Sequence, residues 1–300
     1  MPLTPRPGIM NMAPYVPGAS KVDGVDRIIK LSSNEGALGP SPRAVAAYEE
    51  IGGKLHRYPD GGSVELRAAI GARNGLNPDR IVCGAGSDEV LALLARAYAG
   101  SGDEVLFGEH AFVMYPLFAL SVGATPVKAP ETEFTVTVDA LLDKVTEKTR
   151  IVYIANPNNP TGTMVTSDEM TRLRAGLREE ILLVIDAAYA EYVTRNDYSP
   201  GVELVDAGDN VVMTRTFSKI YALGGVRLGW CYAPANVIDV LNRIRQPFNL
   251  STVAIAAAEA AIRDTSYVEK SREENTRLRA WLAEALAEHG VPSDSSTANF

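Results

Sequence analysis

The sequence predicts an α/β protein, a mostly parallel mixed β-sheet flanked by helices, followed by the start of a smaller second α/β lobe. Three observations predict it. From about residue 81 to 234, short apolar runs alternate with helix-patterned segments, the rhythm of strands joined by crossovers. Beyond Pro247 the pattern turns to helices only. The chain has 300 residues, 46% of them hydrophobic, enough for one large core with an appendage.

Taken in order, residues 1–40 are rich in Pro and Gly with little periodicity, so they predict an extended arm lying over another surface, a partner subunit being one candidate. The strand-like runs are IVCGAG, EVLFG, TPVKAP, IVYIANP, ILLVIDAAYAEY, NVVMTRTF and RLGWCYAP, with SDEVLALLARAYAG a helix after the first. The segment STVAIAAAEAAIRD predicts a helix, and a longer one spans Ser266 to His289, where Leu278, Trp281, Leu282, Ala285 and Leu286 fall at helical spacing. Ser266 with Glu269 predicts a capping box, and Gly290 before Val291 and Pro292 a stop. The few residues that follow are too short to complete a lobe. The expected division is an N-terminal arm (1–40), a large domain (41–250), and a linker helix with the beginning of a truncated C-terminal domain (251–300).

Charge and cysteine usage exclude several classes. A net charge of -8 provides no general field for nucleic acid or anionic membrane, so any anion must be bound by a local site. Cys83 and Cys231 lie in apolar runs without CxxC spacing, which predicts buried thiols rather than a disulfide framework or a zinc site. No metal is expected. The N-terminus lacks a signal-peptide layout and no apolar run is long enough to span a membrane, so a cytoplasmic protein is expected.

Four strings carry chemistry. In TRTFSKIYALGGVRLGW (214–230), Lys219 follows a strand-like run and is flanked by the hydroxyls of Thr216 and Ser218, with Arg227 beyond. A lysine that forms a Schiff base needs a rigid setting that tunes its pKa, while hydroxyls and a guanidinium suit a phosphate. In ILLVIDAAYAEY, Asp186 follows five apolar residues, so its carboxylate is delivered where water is scarce and a cation is needed; a pyridinium nitrogen is such a partner, and Tyr189 reaches toward the ring hydroxyl. Asp186 as a turn or helix cap, and Lys219 as a surface lysine, are the competing readings of each string alone.

NPNNPTG (156–162) stiffens the turn after IVYIA and holds Asn159 at a strand's C-terminal edge, where open α/β sheets bind ligands. GAGSDE (84–89) opens a helix whose first N–H groups, at Ser87 and Asp88, suit a phosphate. Its G-x-G fails as a dinucleotide fingerprint because Glu89 stands where the third glycine belongs. Phe112, after EVLFG, is placed to stack on a flat cofactor, although core burial is the commoner fate of such a residue.

Together these strings resemble the fold type I pyridoxal-phosphate-dependent aminotransferases, and within them the histidinol-phosphate aminotransferases. The resemblance runs from MAPYVPG through KLSSNEGALGPSP, HRYPDGG, GAGSDE, NPNNPTG, DAAYAEY and TFSKIYALGGVRLGW to STANF, essentially the whole chain. It implies pyridoxal 5′-phosphate held by Lys219 as a Schiff base, with the lysine also shuttling the substrate proton. Asp186 is implied at the pyridine nitrogen, Asn159 and Tyr189 at the ring hydroxyl, Phe112 on the ring face, and Ser87, Asp88, Thr216, Ser218 and Arg227 around the phosphate. Tyr58 is implied to reach the cofactor from a neighbouring subunit, and Tyr15 to close over substrate, so a homodimer is implied. The reaction implied is transfer of an amino group between glutamate/2-oxoglutarate and histidinol phosphate/imidazole acetol phosphate in histidine biosynthesis.

Aromatic or broad-specificity aminotransferases and threonine-phosphate decarboxylases share most of these motifs, and a non-catalytic pyridoxal-phosphate-binding protein is the alternative of another class. Gly36 and Ala37 stand where the family's SNENP string has an Asn-Pro pair, a departure expected to loosen the loop near substrate. The family continues past its NF dipeptide, and the arginine that pairs with the substrate's anionic group is expected there.

Overall fold

The structure is a computed structural model that describes residues 3–6, 8–14, 24, 29–293 and 296–300. Tyr15 lies outside the described residues. Seven strands form the central sheet: β1 (Ile81–Gly84), β2 (Glu104–Gly108), β3 (Thr125–Ala129), β6 (Thr149–Ala155), β7 (Leu182–Asp186), β8 (Val211–Thr216) and β9 (Gly229–Tyr232). The short β4 (Glu131–Thr132) and β5 (Thr135–Val136) make a separate hairpin. The sheet order is β1-β9-β8-β7-β6-β2-β3, with β9 antiparallel to both neighbours and the remaining pairings parallel. This is the mostly parallel mixed sheet expected from the sequence.

The inner strands β6, β7 and β8 are buried on both sides because both faces are covered, whereas the edge strand β3 is largely open. Alternate residues divide between two cores. Leu106, Val152, Ile154, Leu183, Ile185 and Met213 face one way, Val105, Phe107, Ile151, Tyr153, Val184 and Val212 the other. The second face is covered by α3 (Ser87–Tyr98), α4 (Met114–Val122) and α8 (Ala235–Ile244), whose Leu91, Leu94, Phe118, Val237 and Leu241 enter that core. The first face receives α1 (Pro42–Glu50), α2 (Val64–Asn74), α5 (Val138–Asp143), α6 (Ser167–Gly176), α7 (Val202–Ala207) and α9 (Thr252–Arg263). The small Ala254, Ala257, Ala258 and Ala261 let α9 lie close against α1 and α2, so the helical layer of the large lobe continues through Arg263.

The long C-terminal helix, α10, spans Thr265–Glu288 and ends as expected, with Gly290 in the left-handed region at φ +76° and Val291 N–H reaching back to the Leu286 carbonyl at 2.9 Å. Its start corrects the sequence reading. Asp264, not Ser266, occupies the N-cap, Ser266 Oγ donates to the Asp264 carboxylate, and Glu269 is taken by Arg272, so there is no capping box. The apolar stripe of α10 is also more open than its spacing implied, for Trp281 and Leu282 are exposed.

Candidate active site

Strand direction explains how the site is assembled. β6, β7 and β8 run parallel and in register, Ala155 beside Asp186 and Asp186 beside Thr214, so the segments leaving their C-terminal ends emerge side by side. Those segments are NPNNPTG, Ala187–Tyr189 and Phe217–Lys219. β1 points the same way and delivers the Ser87 end of α3, and β2 delivers Phe112. Because β9 runs the opposite way, its beginning lies at this same edge, which brings in Arg227. One pocket results, lined by Ser87, Asp88, Phe112, Asn159, Asp186, Tyr189, Thr216, Ser218, Lys219 and Arg227, with Ala155, Pro157 and Ala188. Of the described residues singled out from sequence for the site, all but Tyr58 meet there.

At the floor, Asp186 is 5% exposed, and its hydrogen-bond donors among the described residues are two neutral hydroxyls: Tyr115 Oη to Oδ2 at 2.9 Å and Thr214 Oγ1 to Oδ1 at 3.0 Å. Burial pushes its carboxyl up to about 6, although both hydroxyls favour the ionised form. Lys219 is held by a hydrogen bond from Nζ to the Ser33 carbonyl at 3.1 Å and lies 5.4 Å from the centre of the Tyr189 ring. Burial lowers the Lys219 pKa, which raises the fraction of neutral, nucleophilic amine. Tyr189 is buried, burial keeps its phenol protonated, and its hydroxyl accepts from Asn34 Nδ2 at 3.1 Å. With Asn34 donating, the tyrosine's own proton is left to donate elsewhere.

A second part of the pocket is built for an anion. Gly86 caps α3 at φ +85°, leaving the first N–H groups of the helix facing outward. A Cβ at Gly229 would run into the Ser87 backbone nitrogen, so β9 can start against the helix terminus only because that residue is glycine. Arg227 donates to Asp88 Oδ2 at 2.9 Å and to the Gly224 carbonyl at 3.2 Å, and Thr216 Oγ1 accepts from Ser218 N–H at 3.0 Å. Glu89, which spoiled the dinucleotide fingerprint, turns back to accept from the Ala85 N–H and from Asn249 Nδ2.

The model for aminotransferases of class I and II matches residues 26–300. A histidinol-phosphate aminotransferase of Paramagnetospirillum magneticum is 60% identical over 296 residues, covering 99% of this chain and 82% of its own length. Another, of Dinoroseobacter shibae, is 59% identical over 298 residues, again 99% and 82%. The chain belongs to the histidinol-phosphate aminotransferase family. A crystal structure of the histidinol-phosphate aminotransferase from Sinorhizobium meliloti, in complex with pyridoxal-5′-phosphate, superposes with a TM-score of 0.85 at 28% identity, covering 89% of this chain and 72% of that one. The sheet and its flanking helices are therefore those of the fold type I aminotransferases.

One family position lies outside the pocket lining. Tyr58 is 83% exposed and stacks on Phe248, ring centres 4.8 Å apart, away from its own chain's site. Tyr15 lies outside the described residues. Gly36 lies close to the lysine loop: a Cβ there would be 2.7 Å from Ala222 Cβ and 3.1 Å from the Lys219 carbonyl, so the close approach depends on glycine. Sequence reasoning missed Tyr115 and Thr214, which hold Asp186, and Asn34 and Asn299, which bind Tyr189 and the Asn34 carbonyl. Tyr115 reads as core in MYPLFALSV, and Thr214 as an ordinary strand residue. Asn34 did carry a signal, since it lies within a quoted family string.

Proposed function

We propose that this chain is a pyridoxal-phosphate-dependent transaminase moving an amino group between glutamate/2-oxoglutarate and histidinol phosphate/imidazole acetol phosphate in histidine biosynthesis. The observation that carries the reading is one pocket that joins a buried carboxylate with no bonded cation among the described residues, a part-buried lysine of lowered pKa and a helix terminus with an arginine beside it. The residues fit the cofactor. Asp186 needs a counter-charge that a protonated ring nitrogen provides, and Arg227 has guanidinium donors to spare for a phosphate. When bound, pyridoxal phosphate supplies a carbonyl carbon that takes and returns the amino group and a ring that withdraws electrons from the substrate.

Lys219 would hold the cofactor covalently and move the proton at the substrate carbon, burial lowering the pKa of its amine. Asp186 would hold the ring nitrogen's proton, and Tyr189 with Asn159 would donate to the ring oxygen. Phe112 would cover a ring face and help exclude water. Ser87 and Asp88 N–H groups, the Thr216 and Ser218 hydroxyls and Arg227 would bind the phosphate. For Asp88 this role belongs to the backbone, because its carboxylate already pairs with Arg227.

A homodimer belongs to the reading, with Tyr58 and Tyr15 serving substrate or cofactor across the subunit boundary. The exposure of Tyr58 and its absence from the lining of its own chain's pocket support this. We place the division between the arm and the large domain near residue 40, as the sequence suggested. The second division is best drawn at Asp264, where α9 ends and the chain enters α10. The cytoplasm is the proposed compartment, supported by the biosynthetic relatives and by the two buried free thiols, Cys83 and Cys231. Among the described residues no helix is long and apolar enough to cross a membrane.

The test is a substrate panel. With histidinol phosphate and 2-oxoglutarate, glutamate is expected to form quickly, and phenylalanine to serve far less well. Comparable use of phenylalanine would indicate an aromatic aminotransferase, and carbon dioxide released from threonine phosphate a decarboxylase. Cofactor binding without amino transfer from any donor would indicate a non-catalytic protein.

A further inference from the structure

Tyr115 sits on α4, fully buried, with its ring stacked on Tyr153 of β6 at 4.8 Å and an 11° tilt, and met edge-on by Phe112 at 5.6 Å. A phenylalanine would fill that space equally well. What distinguishes the residue is its hydroxyl, which donates to Asp186 Oδ2 from the core side, behind the pocket wall. Tyr153 carries an equally buried hydroxyl that donates elsewhere, to the Leu91 carbonyl at 2.8 Å. The two stacked tyrosines therefore differ in one respect that matters to the site.

We infer that Tyr115 is the positioning residue of Asp186: its hydroxyl fixes the carboxylate's orientation toward the pocket and stabilises its ionised form, while Thr214 holds the other oxygen. The inference rests on the proposed role of Asp186 toward the cofactor, but its consequence for the carboxylate exists in the cofactor-free chain. A hydrogen bond to a charged acceptor favours that charge, and losing a buried one leaves the acceptor undersolvated. A carboxyl that is protonated or rotated away cannot hold a proton on a ring nitrogen. The other groups that act on Asp186 are Asp88 of α3, which opposes its ionisation, and Lys219 after β8, which favours it. Tyr153, Tyr189 and Tyr198 face it as phenols kept neutral by burial.

The experiment compares Tyr115→Phe, Tyr153→Phe, Asp186→Asn and the Tyr115→Phe/Asp186→Asn double variant. In the cofactor-free protein, Tm is followed against pH. The part of the profile due to Asp186 should extend about one pH unit or more further toward alkali in Tyr115→Phe. It should be unmoved in Tyr153→Phe and absent from both variants lacking Asp186. In parallel, the Kd for pyridoxal phosphate should weaken several-fold in Tyr115→Phe and hold in Tyr153→Phe. Identical shifts in the two tyrosine variants, or none in Tyr115→Phe, overturn the inference and leave Tyr115 as core filling. If Tyr115→Phe does not fold, the Tyr115 hydroxyl proton is followed by NMR in the parent, where Asp186→Asn must displace it. An unmoved resonance overturns the inference as well. A chain that shows the pH shift yet binds no pyridoxal phosphate supports the inference while sinking the proposed function.

Discussion

Asp186 and Lys219 show how burial sets chemistry at the scale of single residues. Burial moves both toward their neutral forms, raising the carboxyl to about 6 and lowering the amine. The linkage has a definite sign for Asp186. Its folded pKa exceeds the unfolded value near 4, so the native state binds more protons between the two, and stability falls as pH rises through that window. A difference of about 2 units amounts to roughly 3 kcal/mol, fully lost above about pH 6 in the cofactor-free protein. Asp186→Asn is expected to flatten that part of the Tm against pH profile. The same substitution should cost on the order of 10²-fold or more in turnover with cofactor bound, measured as glutamate formed per site. Near-parent turnover would reduce Asp186 to a structural role. Lys219→Ala is expected to fold and to retain pyridoxal phosphate only non-covalently, with transamination abolished. A borohydride-fixed adduct equal to the parent's would show that another residue carries the cofactor.

Among the elements, β9 matters most, because its reversed direction brings Arg227 and the Ser87 end of α3 to one place. That junction depends on Gly229. Gly229→Ala should force the strand and helix apart, destabilising by about 1–3 kcal/mol in denaturant unfolding, with pyridoxal phosphate bound more weakly. Unchanged stability and affinity would mean that the junction yields freely. β8 has a second tie to the site. Arg215, between Thr214 and Thr216, donates from Nη2 and Nε to the single oxygen Glu191 Oε1 at 2.7 and 3.2 Å, and both side chains are nearly buried. This pins the short 3-10 turn Ala190–Tyr192 that follows Tyr189. Arg215→Ala leaves Glu191 charged and uncompensated, so a loss of about 3–5 kcal/mol is expected. A loss below about 1 kcal/mol, the range of exposed pairs, would mean that water reaches Glu191.

For the whole molecule, the decisive question is whether two chains share each site. If the proposed homodimer forms, Tyr58→Phe and Lys219→Ala proteins should each be impaired, whereas mixing them should restore activity. If Tyr58 serves its neighbour, a heterodimer has one site with both lesions and one with neither. Rates measured after subunit exchange check this. Exchange without recovery would leave Tyr58 to its own subunit or outside the site altogether.

The sequence by itself determined the sheet class and most of the pocket's membership. Apolar strand runs ending in Asp186, Asn159 or the Lys219 segment are legible because strand ends deliver ligand residues whatever the crossover details. It could not decide which core groups would stand behind those residues. Tyr115 and Thr214 are 71 and 28 positions from Asp186, and only packing across the sheet aims their hydroxyls at one carboxylate. The Ser33–Gly36 segment is similar. Nothing local in Ser33 to Gly36 specifies contact with Lys219, Tyr189 and Asn299, since those partners meet only after the sheet is assembled. The start of α10 also depended on context, because Asp264 competes with Ser266 for the N-cap and is buried against the preceding helix end. Periodicity and strand order are carried by short stretches of chain. Hydrogen-bond partners across the core are not, because they depend on distances that only the folded backbone sets.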